Sequence, residues 1–158
     1  MRRSAVIDAM LGAALGIALP AANAPRVTVF SGVDGQRLLH QCSRRAPVSS
    51  AVWRPTLAQV ARAEAALAAA YFHLAPRGYA PAIVSLADLQ RGWRVEATGV
   101  VRPGHPTVYL NYIPRGGPGD SASGAGPTVI CDGGPGLFGA AVDLVTGDVG
   151  QLDFNGVG

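Results

Sequence analysis

Apolar and polar residues change rhythm along this chain, and each rhythm predicts an element. Arg26 to Phe30 alternates with the period of a strand, and Ser31 and Asp34 then offer caps for a short helix carrying Leu38, Leu39 and Cys42. Residues 45–55 hold Pro47, two serines and Trp53, and read as a connector that leaves Trp53 exposed. From Thr56 to Leu74 the period becomes helical. Thr56 and Gln59 have the spacing of a capping box, Leu57, Val60, Leu67, Tyr71 and Leu74 share a face, and Pro76 with Gly78 stop the run. The rest of that helix is mostly alanine, which favours helix and lets a sheet approach closely. Ser85 and Asp88 can cap one more helical turn, ending at Gly92.

After Gly92 the alternation is that of strands. Trp93, Val95, Ala97 and Val101 oppose Arg94, Glu96 and Thr98, and after a turn at residues 102–106 Val108, Leu110 and Tyr112 oppose Tyr109 and Asn111. Pro114 to Pro127 is a Gly/Pro/Ser-rich loop. Further strands are expected at Thr128–Cys131, Leu137–Leu144 and Val149–Phe154, the last two joined by a Val145-Thr146-Gly147-Asp148 turn. Helices first and strands after describe an α+β domain, with one long helix and a short one on a four- to five-stranded antiparallel sheet, in a cystatin-like arrangement.

Length bounds the organisation. With 158 residues the chain is too short for a (β/α)8 barrel of about 250 residues and holds one domain, residues 25–158. Ahead of it, residues 1–24 have the form of a signal peptide: Arg2-Arg3, an apolar stretch from Ala9 to Leu19, and Ala22-Asn23-Ala24 as the cleavage pattern, with Pro25 directly after it. The apolar stretch falls short of the 20 or so residues that span a bilayer, so no membrane span is expected after cleavage. This places the protein in the periplasm or outside the cell. All 13 basic residues are arginine, the net charge is only +3, and Arg44-Arg45 is the only basic pair beyond the N-terminus. Nucleic acid is therefore not an expected partner.

Two cysteines follow the signal segment. In an oxidising compartment Cys42 and Cys131 most simply form a disulfide, with two buried thiols as the competing reading.

Three stretches carry a resemblance: Gln41-Cys42-Ser43-Arg44 running into Trp53-Arg54-Pro55-Thr56, Val129-Ile130-Cys131-Asp132-Gly133-Gly134, and Phe154-Asn155-Gly156. Together they resemble a group of small exported proteobacterial proteins of unknown function. The resemblance implies an envelope or secreted location and a bridge between the two cysteines, and it implies no activity.

Catalytic patterns are sparse. Gly119-Asp120-Ser121 matches the nucleophile segment of trypsin-like proteases, but it lacks the Gly-Gly of their oxyanion hole and the chain is too short for their double barrel. His40, His73 and His105 have no metal-ligand spacing, so neither metal nor cofactor is expected. A Cys131 nucleophile served by His73 would exclude the disulfide. Glu64 and Glu96, the only glutamates, are expected on solvated faces, which leaves no carboxylate pair for hydrolysis. Asp132-Gly133-Gly134 reads first as a chain-reversing turn and second as an ion nest.

Trp53, Tyr109, Arg94 and Arg115 are the residues expected to form a partner-binding patch, against the simpler role of covering the sheet. Three functions stay open. An interaction module of inhibitor or immunity type, docking another envelope or secreted protein, requires no catalytic group. A small envelope hydrolase requires titratable groups within hydrogen-bond reach of one another. A small-molecule carrier requires an apolar cavity between helix and sheet.

Overall fold

A computed structural model describes residues 25–117, 119–120 and 126–157, so the expected signal peptide and Ser121 lie outside the described residues. The element order is β1 (Val27–Val29), α1 (Gly32–Leu38), β2 (Val52–Trp53), α2 (Leu57–Leu74), α3 (Leu86–Gly92), β3 (Trp93–Val100), β4 (Thr107–Pro114), β5 (Phe138–Asp143) and β6 (Val149–Phe154). The fold class is α+β. The sheet, however, is mixed and six-stranded, in the order β1-β3-β4-β5-β6 with β2 also on β3. β1 runs parallel to β3, matching Val27–Val29 to Val95–Ala97, while β2 pairs antiparallel with Val100 and Gly99 further along the same strand. A parallel pair needs a long crossover, and the chain from α1 through α3 provides it. No alternation within β1 could reveal its direction.

The helix starts follow the capping chemistry. Thr56 accepts from the Gln59 N–H and the Gln59 side chain accepts from the Thr56 N–H at 2.8 Å, the reciprocal capping box. Ser85 accepts from Asp88 N–H at 3.2 Å to open α3. α1 ends at Leu38, so Cys42 lies in the chain beyond it and not on it.

On one sheet face α2 lays Val60, Ala63, Leu67 and Tyr71 over Val95, Ala97, Val108, Leu110, Tyr112, Phe138 and Ala140. Ala63 is fully buried, as a close helix-to-sheet approach requires, and Tyr112 stacks on Phe138 with ring centroids 4.6 Å apart. Leu57 and Leu74, expected on this face, lie at the two ends of the helix and are exposed. Glu64 corrects the expectation of a solvated helix side, for it is 1% exposed. It stands four residues after Val60 and three before Leu67, on the core stripe. The Arg26 guanidinium engages both its carboxylate oxygens, and the Tyr112 hydroxyl donates to it at 3.3 Å.

The opposite face is the larger correction. Arg94, Glu96, Thr98, Tyr109 and Asn111 alternate as expected, yet all are buried. Residues 40–48 and 126–132 cross over them, and α1 sets Leu38 against Val100, Tyr109 and Ala141. The segment Thr128–Cys131 belongs to this cover and is not a strand. Both sheet faces are therefore closed.

Burial pushes the hydroxyls of Tyr71, Tyr109 and Tyr112 above the ordinary phenol range, with the neighbouring Glu64 carboxylate adding to the effect at Tyr112. Unfolded tyrosine ionises near about pH 10, so the stability these groups contribute is complete below that pH and is lost as pH rises through it. In an alkaline titration their phenolate absorbance is expected to rise together with the loss of far-ultraviolet dichroism. A rise well ahead of unfolding would contradict their burial.

Candidate functional site

The cover over the second face is assembled from the three resembling stretches. The disulfide Cys42–Cys131 joins the first to the second, with Cα atoms 5.2 Å apart at a sequence separation of 89. Two residues beyond Cys42, Arg44 is 9% exposed and its guanidinium donates to the Asn155 and Asn111 side-chain oxygens and, at 3.4 Å, to the Tyr109 hydroxyl. Asn155, from the third stretch, donates to the carbonyls of Ile130 and Asp132 at 2.8 and 2.6 Å. That holds the turn in which Asp132, Gly133 and Gly134 all have positive φ. The turn is used to reverse the chain. Tryptophan and threonine of the Trp53-Arg54-Pro55-Thr56 stretch serve separately: Thr56 caps α2, and the Trp53 ring lies on Gly99, where any Cβ would collide with it.

Beside Arg44 sits the second half of the cluster. Glu96 accepts from Arg94 at 2.8 Å, from the Thr128 hydroxyl at 2.7 Å, from the Thr128 N–H at 2.8 Å and from Asn111 at 3.1 Å. Arg94 also reaches Thr128, the Gly119 carbonyl and the Asp120 carboxylate at the rim. A buried carboxylate costs several kcal/mol unless charge and hydrogen bonds compensate it, and here every contact is compensating. Close packing completes the arrangement at Gly139, where a Cβ would strike the Tyr109 hydroxyl.

The expected partner-binding residues are therefore dispersed. Tyr109 and Arg94 are buried in the cluster, because residues 40–48 and 126–132 cover the polar face that sequence alone leaves open. Trp53 is half-buried against β3 and donates to the Val100 carbonyl at 3.4 Å. Arg115 is exposed, anchored by its N–H on the Gly92 carbonyl. Sequence reasoning gives Asn111 only a strand position and Asn155 only a place in the third resembling stretch. A lone asparagine inside an apolar strand is the signal that marks the first, since asparagine is depleted in strands and needs partners when buried.

One surface open to a partner lies at the β5–β6 end of the sheet. Two adjoining depressions share Arg102 and Gly150. The larger, of about 520 Å³, runs between Arg45–Val48 and Gly150–Asp153 of the edge strand β6. The smaller, about 270 Å³, contains His105, Thr107, Asp143 and Asp148. Arg45 pairs with Asp153 at 3.1 Å, whereas Arg102 has no acidic partner among the described residues. Val48, 98% exposed, and Val101 supply apolar surface next to these cations.

In the smaller depression the His105 Nδ1 lies 2.6 Å from an Asp143 oxygen. The Val145 main-chain N–H foremost, with His105 assisting, holds the Asp143 carboxyl below the ordinary carboxylate range. This pair can hold a proton. Among the described residues no hydroxyl or thiol meets the His105 ring, and the Thr107 hydroxyl donates instead to the His105 carbonyl at 2.9 Å. No described cluster of three His, Cys, Asp or Glu residues suits a metal ion. Between α2 and the sheet the side chains are packed together. No described helix is long and apolar enough to cross a membrane.

No protein-family model, curated protein or solved structure matches the chain.

The cluster generates two expectations for stability. Asn155→Ala removes one acceptor of the buried Arg44 guanidinium and the donor to the Ile130 and Asp132 carbonyls, and is expected to cost about 2 kcal/mol in urea unfolding with the disulfide intact. A loss below about 1 kcal/mol would mean that Asn155 does not hold the cover. Replacing both cysteines by serine removes a long loop closure and is expected to cost about 4 to 5 kcal/mol. Equal stability of the oxidised and serine forms would contradict it.

Proposed function

We propose that the protein is a non-catalytic interaction module of the periplasm or the secreted fraction, which holds an extended segment of a partner protein in the groove along β6. One observation carries this reading: the six-residue strand β6 forms the open end of the sheet and borders a groove of about 520 Å³. The Asn155 N–H donates to Leu137, so the alternation of an antiparallel ladder turns the main-chain groups of Phe154 and Leu152 outward, where an added strand would meet them. Natural sheets blunt such edges unless they are used.

Charge selects the occupant. Arg102, with no acidic partner among the described residues, favours a segment that brings a carboxylate beside it, and Val48 on the groove wall favours an apolar residue next to that acid. The export signal in the sequence, the resemblance to exported proteins and the disulfide support the compartment. Glu64, Glu96 and the cysteines are occupied in holding the fold, and no described hydroxyl or thiol meets the His105 ring, which favours binding over turnover.

Random peptides displayed on phage and selected on oxidised protein spanning residues 25–158 test the reading. Selected peptides are expected to alternate apolar and polar residues around an acid, and to bind Arg102→Glu about tenfold or more weakly. Both Arg102 and Val48 are exposed, so Arg102→Glu and Val48→Asp should leave stability nearly unchanged. Failure to select any peptide, or binding indifferent to both substitutions, would refute the proposal.

A further inference from the structure

The end of α2 and the chain that follows it enclose a second concavity, which shares no residue with the groove along β6. Its volume is about 190 Å³, and it is walled by Tyr71, Ile83, Phe72 and Val84, the last two being 73% and 82% exposed. Part of its wall is fixed before any ligand arrives. The Tyr71 hydroxyl donates to the Pro81 carbonyl at 3.0 Å, the Ala80 N–H donates to the Pro76 carbonyl at 3.2 Å, and the Tyr79 hydroxyl is anchored on the Asn155 carbonyl. A preformed apolar wall loses little conformational entropy on binding.

The carboxylate beside the cleft, Asp88, accepts from the Val84 N–H at 3.2 Å and is paired with Arg91. The chain has no acidic residue between Glu64 and Asp88, and the cation that lines the cleft, Arg77, has no acidic partner among the described residues. Part of the Arg77 charge offsets the carbonyl end of α2, yet the guanidinium retains donors for an external anion. An apolar wall beside an unpaired guanidinium is complementary to an amphiphilic anion. At about 190 Å³ and open to solvent on one side, the cleft suits a short tail.

We propose that this cleft binds a short-chain free carboxylate, with its aliphatic tail against Phe72, Ile83 and Val84 and its carboxylate on Arg77. The site stands independently of the groove, since the two share no lining residue.

Hexanoate, hexylamine and hexanol, titrated separately into the isotopically labelled oxidised protein, test this by amide chemical shifts. Hexanoate is expected to move the signals of residues 72–84 saturably, and hexylamine is not. Arg77→Gln is expected to weaken hexanoate about fivefold, the worth of an exposed charge pair. Ala82→Trp, which fills the cleft from an exposed position, should remove the response while the other amide signals keep their places. Equal binding of hexylamine or hexanol, no effect of Arg77→Gln, or an undiminished response in Ala82→Trp would each overturn the proposal.

Discussion

Burial of the Glu96 carboxylate on the second sheet face is the constraint from which the rest of this structure follows. Glu96 is 2% exposed, and a carboxylate so far from water must find both charge and donors within the protein. Arg94, two residues along the same strand, supplies the charge, and Asn111 on β4 supplies one donor. The remaining donors come from Thr128, which no strand carries, so residues 126–132 have to lie across the sheet. That position in turn brings Cys131 to Cys42 and Asn155 to Arg44. Networks of this kind are weak guarantees of net stability and better guarantees of a single arrangement, because any slip leaves a charge unpaired. Here the arrangement it specifies is a sheet closed on both faces, one by an aliphatic helix and the other by a polar, disulfide-pinned cover.

Much of the architecture was legible in the residues. The capping box at Thr56 and Gln59, the alternation of β3 and β4 and the turn before β6 each act locally, and local chemistry is what a sequence displays directly. The cysteine pairing was legible as one of two readings. Two features were not. The direction of β1 depends on where a distant crossover delivers β3, and the burial of Arg94, Glu96 and Tyr109 depends on a cover contributed from far along the chain. Polar alternation is the same whether water or a second polar layer lies over it, and so the expected binding patch was placed on a face that is shut. Glu64 differs, since its spacing from Val60 and Leu67 put it on the core stripe and its charge alone argued otherwise.

The same physics directs where function is to be sought. The resembling stretches around Cys42, Cys131 and Asn155 converge on the cover, so their residue types are accounted for by the fold. Arg102 and Arg77, by contrast, satisfy no carboxylate within the described chain, and each borders a concavity with exposed apolar side chains. Exposed cations beside apolar surface cost little to maintain and gain on meeting an anionic, amphipathic group. In the proposed reading the closed sheet is the rigid support, and its β6 edge and α2 terminus are where contact is to be sought.

Hydrogen exchange at the Thr128 amide tests the central claim most directly, because this N–H donates to the buried Glu96 carboxylate across 32 residues and belongs to no helix or strand. The account predicts protection in the oxidised protein close to that of the β3–β4 ladder, falling on reduction of Cys42–Cys131 while the amides under α2 stay protected. A Thr128 amide that exchanges as an open loop in the oxidised protein would contradict it, since Glu96 would then lie under no cover.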